Sequence, residues 1–119
     1  MTDLVEVFKA LSDETRLRIM KLLEDEALCV CEIMAVLDMI QSRVSRHLDI
    51  LRRAGFLVAR REKKWVIYTW NREKVNSYHL PIQEMLRLWL NDDEAVRRDR
   101  ERLKEVKAMG LRENKSYCR

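Results

Sequence analysis

Apolar residues in the first half of the chain recur at three- and four-residue intervals, and each such run predicts a helix buried on one face. Leu4, Val7, Phe8 and Leu11 mark a first helix, with Thr2 or Asp3 available as its cap. Ser12, Asp13 and Glu14 open a second helix carrying Leu17, Met20 and Leu23, and its early acids suit the positive end of the helix dipole. A loop at 25–28 leads to a short helix with Ile33, Met34 and Leu37. After a tight connection at 38–40, a fourth helix carries Val44, Leu48 and Leu51, and Gly55 suits the residue just past its end. The pattern then changes to strands. Phe56–Arg61 and Trp65–Trp70 flank the polar Glu62-Lys63-Lys64 and read as a hairpin, although its tip lacks the usual Gly or Asn. Pro81 opens another helix with Ile82, Met85, Leu86 and Trp89, and Leu88 and Leu90 widen its apolar face. A face this broad implies burial on two sides, by the core and by another subunit. Residues 92–107 hold six acids and six bases with only Ala95, Val96, Leu103 and Val106 apolar, the pattern of a solvated helical extension. The tail after Gly110 reads as disordered. The division expected is a domain at 1–91 and a charged helical extension with a flexible tail at 92–119.

With 119 residues and 47% hydrophobic content, the chain has the size and composition of one globular domain that needs no disulfides to form a core. No stretch has the length of a signal peptide's apolar run or of a membrane span, so a cytoplasmic protein without a membrane partner is expected. The net charge of +4 is unevenly spread. Residues 1–39 hold four bases against nine acids, and residues 40–64 hold eight bases against two acids. Positive field concentrated in this way is the footprint that nucleic acid requires, although a basic surface alone is a weak motif.

A short helix, a tight turn, a second helix rich in Arg and Ser, and a basic hairpin together make a winged helix-turn-helix. The fold class is mainly α with a β-hairpin wing. The second helix of such a unit lies in the major groove of double-stranded DNA with its N-terminal residues nearest the bases. Gln41, Ser42, Arg43, Ser45, Arg46 and His47 project from that region. Gln pairs with adenine and Arg with guanine, and Ser lets the backbone come close. His47 is open to two readings, a phosphate contact or a packed residue of the fold. Arg60, Arg61, Lys63 and Lys64 on the wing are candidates for phosphate contacts, which give affinity but little sequence information.

The segments FKALSDETRLRIMKLL, LCVCEI, RVSRHLDILRRAGFL and KKWVIYTW, in this order, resemble the ArsR/SmtB family of metal-responsive repressors, over residues 5–90. The resemblance implies a homodimer through the first and last helices, bound to an imperfect inverted repeat in an operator and released by an inducer. Two positions depart from the family pattern. Ile40 stands where Ser commonly caps the recognition helix, and Met34 stands where a third cysteine is frequent.

Cys29 and Cys31 begin the helix before the recognition helix, where the dipole favours thiolate, and thiolates prefer soft ions. LCVC at this position resembles the arsenite- and antimonite-responsive branch and the related cadmium and lead sensors. Residues 81–107 lack the histidines that zinc, nickel and cobalt sensors of the family carry, and residues 1–28 lack the N-terminal cysteine of the cadmium and lead sensors. The expected inducer is therefore As(III) or Sb(III), held by Cys29 and Cys31, and Cys118 is open to two readings, a third sulfur from the same or the partner subunit or a stray cysteine of the tail. The alternatives are Cd(II) or Pb(II), or a thiol redox or persulfide signal, through the same cysteines. A one-residue spacer closes a strained ring, which weighs against a Cys29–Cys31 disulfide. A thiol enzyme is a poor fit, because the chain has no CxxC motif and only two glycines for a phosphate-cradling loop.

Overall fold

A computed structural model of the chain describes residues 1–112; Cys118 and the expected disordered tail lie largely or wholly outside them. The elements run α1 (Thr2–Leu11), α2 (Glu14–Leu22), β1 (Leu28–Cys29), α3 (Val30–Leu37), α4 (Gln41–Arg53), β2 (Leu57–Glu62), β3 (Trp65–Trp70), α5 (His79–Leu88) and α6 (Glu94–Met109). Asp13 caps α2 by accepting from the Arg16 amide, as the acid-rich start of that helix suggests. Asp38 closes α3 in the left-handed conformation and makes the tight connection to α4. α4 begins directly after Ile40, with no side-chain cap. At the hairpin tip Lys63 takes a φ of 58°, the conformation usually left to Gly or Asn.

One core joins all these elements. Ile19, Leu23, Leu28, Ile33, Leu48, Leu51, Phe56 and Ile67 are fully enclosed. Beside it a buried polar network ties α5 to the hairpin. The His79 Nε2 accepts from the Val75 amide, so its Nδ1 carries the proton and donates to Gln83 Oε1 at 2.6 Å. Gln83 donates to the Asn71 carbonyl, and Asn71 donates to the Gly55 carbonyl. Gly55 has a φ of 98°, and a Cβ there would stand 2.9 Å from Asn76 Nδ2 and 3.2 Å from the His79 ring, so glycine is required.

Two features differ from the sequence-based expectation. The loop at 25–28 ends in a strand: β1 pairs antiparallel with β3, through Leu28 with Tyr68 and Cys29 with Ile67, giving a sheet of order β1-β3-β2. Two residues are too short for a strand to announce itself by alternation. The second difference is a correction. Residues 92–107 are helical from Glu94 onward, but they are not a solvated extension. Val96, Asp99, Leu103 and Val106 form a buried stripe at intervals of three and four residues, packed against α2 and α3. Asp99 holds a place in the stripe because Arg18 grips it with two hydrogen bonds of 2.9 and 2.8 Å.

Apolar surface remains open on the opposite side. Phe8 on α1 and Met85, Leu88 and Trp89 at α5 are exposed, Leu88 to 80%. Phe8, Met85 and Trp89 rim a groove of about 670 Å³ between the two helices, lined also by Leu4, Leu11 and Ile82.

Candidate DNA interface and thiol site

The first turns of α4 stand clear of the core because Val44 and Leu48 alone turn inward there. Gln41, Ser42, Arg43 and Arg46 are exposed and Ser45 is half-buried. Among the described residues neither Arg43 nor Arg46 makes an ion pair, whereas Arg52 and Arg53 at the other end of the helix are both held by Asp49, at 2.6 and 2.9 Å. The uncompensated charge thus lies at the end of α4 that a groove-reading helix presents. On the wing Arg61 and Lys63 are exposed, Arg60 leans toward Glu62 at 3.4 Å, and Lys64 stacks over Trp65 at 5.3 Å from the ring centre.

His47 belongs mainly to the fold. Its Nδ1 lies 3.1 Å from Arg16 Nη1, and Arg16 also donates to the Ala10 and Lys9 carbonyls, so this contact locks α4 to the α1–α2 corner. Burial lowers the His47 pKa, Asp13 opposes, and Arg16, Arg43 and Arg46 add to the lowering. A neutral ring accepting from Arg16 brings no positive charge to a phosphate.

Cys29 is the last residue of β1 and the N-cap of α3, and it occupies the Ser/Thr position of a capping box whose acid is Glu32. Cys29 is 1% and Cys31 5% exposed, and their sulfurs lie 2.9 Å apart. One soft centre can reach both. The thiolate expected at this helix start is corrected for Cys29. Burial pushes its thiol up, the Glu32 amide pulls down, and the Glu32 carboxylate adds to the rise. Desolvation is the largest of these effects and leaves the Cys29 pKa raised.

Glu32 is the functional neighbour that sequence reasoning missed. It is buried and accepts from the Cys29 amide at 2.9 Å and from Arg112 Nε at 3.0 Å. Burial pushes its carboxyl up, but the Cys29 amide and the Lys107 and Arg112 charges together hold it below the ordinary carboxylate range. The signal was present as Cys29-x-x-Glu32, a capping box with Cys in place of Ser. Among the described residues no cluster of three or more Cys, His, Asp or Glu side chains is placed to hold a metal ion. The described site offers two sulfurs.

These parts define a winged helix-turn-helix. Residues 13–58, from the start of α2 to the wing, match the family described as bacterial regulatory protein, arsR family. The chain is 44% identical over 92 residues to the arsenic resistance transcriptional regulator ArsR2 of Pseudomonas putida, covering 74% of this chain and 80% of that protein. Its fold is similar to HlyU from Vibrio cholerae N16961, with a TM-score of 0.63, 34% identity, and coverage of 76% of this chain and 95% of that one. It is also similar, at 24% identity and a TM-score of 0.62 over 73% of this chain and 77% of the other, to the homodimeric winged helix-turn-helix DNA-binding domain Mb0332 from Mycobacterium bovis. The chain belongs to the arsR family of bacterial regulatory proteins. The Pseudomonas putida relative is a transcriptional regulator, and no helix among the described residues of this chain is long and apolar enough to cross a membrane.

Proposed function

We propose that the protein is a homodimeric repressor that grips operator DNA with α4 and the β2–β3 wing and lets go when As(III) or Sb(III) binds Cys29 and Cys31. The observation that carries this reading is the place of Cys29 and Cys31. Cys29 starts the first helix of the helix-turn-helix and also pairs with Ile67 of the wing, which pairs in turn with Arg60. Any movement of the Cys29 backbone is therefore felt by both DNA-contacting elements, along α3 to α4 and across the sheet to the wing. Soft thiol donors suit a thiophilic ion, and the arsenic resistance regulator of Pseudomonas putida supports arsenic as its identity.

The chain's own groups do the following. Gln41, Ser42, Arg43, Ser45 and Arg46 meet base edges and nearby phosphates, while Arg60, Arg61, Lys63 and Lys64 meet phosphates. The groove between α1 and α5 takes the same groove of a second copy, which sets two α4 helices at successive major grooves of an inverted repeat, about 34 Å apart. Each thiol that bonds to arsenous acid passes its proton to a departing hydroxide, which leaves as water. Cys118 supplies the third sulfur. The pair must be drawn away from its packed position for this to occur, and operator affinity falls by the same factor by which operator DNA weakens ion binding.

The test is an anaerobic titration of reduced protein with As(III), read by sulfur-to-arsenic ultraviolet absorption and by release of labelled operator DNA, with Zn(II) and Cd(II) as controls. Saturable As(III) binding with operator release, both lost in Cys29→Ser and Cys31→Ser, is the expected result. Full response in those variants rejects the site. A response to Cd(II) in preference to As(III) rejects the inducer. Unchanged As(III) binding in Cys118→Ser removes the tail from it.

A further inference from the structure

The C-terminal end of α6 is pinned to the thiol loop at three points. Arg112 donates to Glu32 Oε1 through Nε at 3.0 Å and lies 2.9 Å from it through Nη2. The same Nη2 donates to the Ala27 carbonyl at 2.7 Å, just ahead of β1. Lys107 lies 3.6 Å from Glu26 and 3.7 Å from Glu32. Leu111, between these two cations, is buried in the core. Glu26, Ala27 and Glu32 bracket Cys29 and Cys31, so the loop that carries both sulfurs is clamped from outside by one short stretch of chain. Arg112 also borders a small cavity of about 190 Å³ with Lys63, Trp65 and Ile67 of the wing.

We propose that Arg112 is a positioning residue of the thiol site: through Glu32 and the Ala27 carbonyl it latches α6 onto the Cys29–Cys31 loop, and thereby holds the loop for ion capture. This rests on the sensor reading above. The physical ground is that Glu32 has one oxygen serving both the Cys29 amide and the Arg112 guanidinium. Without Arg112 that oxygen keeps only the amide, and the Ala27 carbonyl, just ahead of β1, loses the Arg112 donor. Arg suits the position better than Lys, since its forked donors reach the carboxylate and the carbonyl together. Because Arg112 follows the end of α6 and is half-buried, its removal leaves the core stripe of that helix in place.

The experiment compares wild type, Arg112→Ala, Arg112→Lys and Lys104→Ala, the last an exposed α6 residue paired only with its neighbour Glu101. Each is titrated with As(III), and hydrogen exchange is followed over residues 103–111. Loss of a residue that orients a ligand typically weakens ion binding by about tenfold or more. That loss is expected in Arg112→Ala, with faster exchange at 103–111, partial recovery in Arg112→Lys and none of these changes in Lys104→Ala. If wild type binds As(III) and Arg112→Ala binds it equally tightly, the latch is overturned and the sensor reading stands. Wild type that binds no As(III) overturns the sensor reading instead. The exchange data then decide the latch, and unchanged exchange in Arg112→Ala overturns it.

Discussion

The N-terminal end of α4 and the loop that carries Cys29 and Cys31 lie near one another in sequence and treat charge in opposite ways. Arg43 and Arg46 stand in solvent without ion-pair partners among the described residues, while the buried carboxylates are matched: Glu32 by Arg112 and Lys107, Glu24 by Lys21, Asp99 by Arg18. A cation kept for phosphate or base contact gains its free energy when DNA arrives, through release of counterions. A buried carboxylate must be matched within the fold, because water is no longer there to solvate it. Charge removed from the first region is therefore felt in binding, and charge removed from the second is felt in stability.

Four substitutions test this division. The largest effect is expected in Glu24→Ala, which strips the 2.6 Å partner from the buried Lys21 ammonium and leaves it only the Leu86 carbonyl at 2.6 Å. Breaking a buried ion pair in this way costs about 3–5 kcal/mol, measurable by urea unfolding, while the operator affinity of the folded fraction stays near wild type. Stability within 1 kcal/mol of wild type, roughly a third of the low estimate, would break the comparison on its buried side. Next, Arg43→Ala should weaken operator binding by about 1–3 kcal/mol, relax preference at one base pair, and leave the melting temperature unmoved. Equal losses on operator and random DNA would demote Arg43 to a phosphate contact.

The third concerns acid. Glu32 is held below its ordinary pKa in the fold, so its contribution is fully present above the unfolded value near 4.5 and is lost as pH falls through the lower folded value. Glu32→Gln should therefore be less stable than wild type at pH 7, with the difference shrinking on acidification below that value. A difference independent of pH would mean that the hydrogen bonds to Glu32 matter and its charge does not. The smallest effect belongs to Lys63→Ala, which should lower the slope of log affinity against log salt by about one and weaken specific and random DNA alike. An unchanged slope would remove the wing tip from the interface.

The exposed face of α4 and the cations of the hairpin were legible because exposure needs no partner. Helical spacing of Val44, Leu48 and Leu51 places the polar residues of α4 outward, and the hairpin lifts its cations from the surface whatever lies beneath. His47 shows the limit of that reasoning. Its position on α4 suits a phosphate contact, yet Arg16, thirty-one residues earlier, claims its Nδ1. Residues 92–107 show it again. Six acids and six bases suggest solvation, but the stripe of Val96, Asp99, Leu103 and Val106 becomes a core face once Arg18 is there to neutralise Asp99.

The sequence by itself determined the order of helices and strands, the winged helix-turn-helix, the family, and the placing of two cysteines at the start of the helix before the recognition helix. These follow from local periodicity, turn residues and motif spacing, all of which act between neighbours in the chain. Only the tertiary structure decided that Cys29 is a buried thiol joined by β1 to the wing, that α6 is part of the core, and that Arg112 lies against Glu32 eighty residues away. Burial and long-range pairing set the cost of a charge, and both depend on which distant segments close over it.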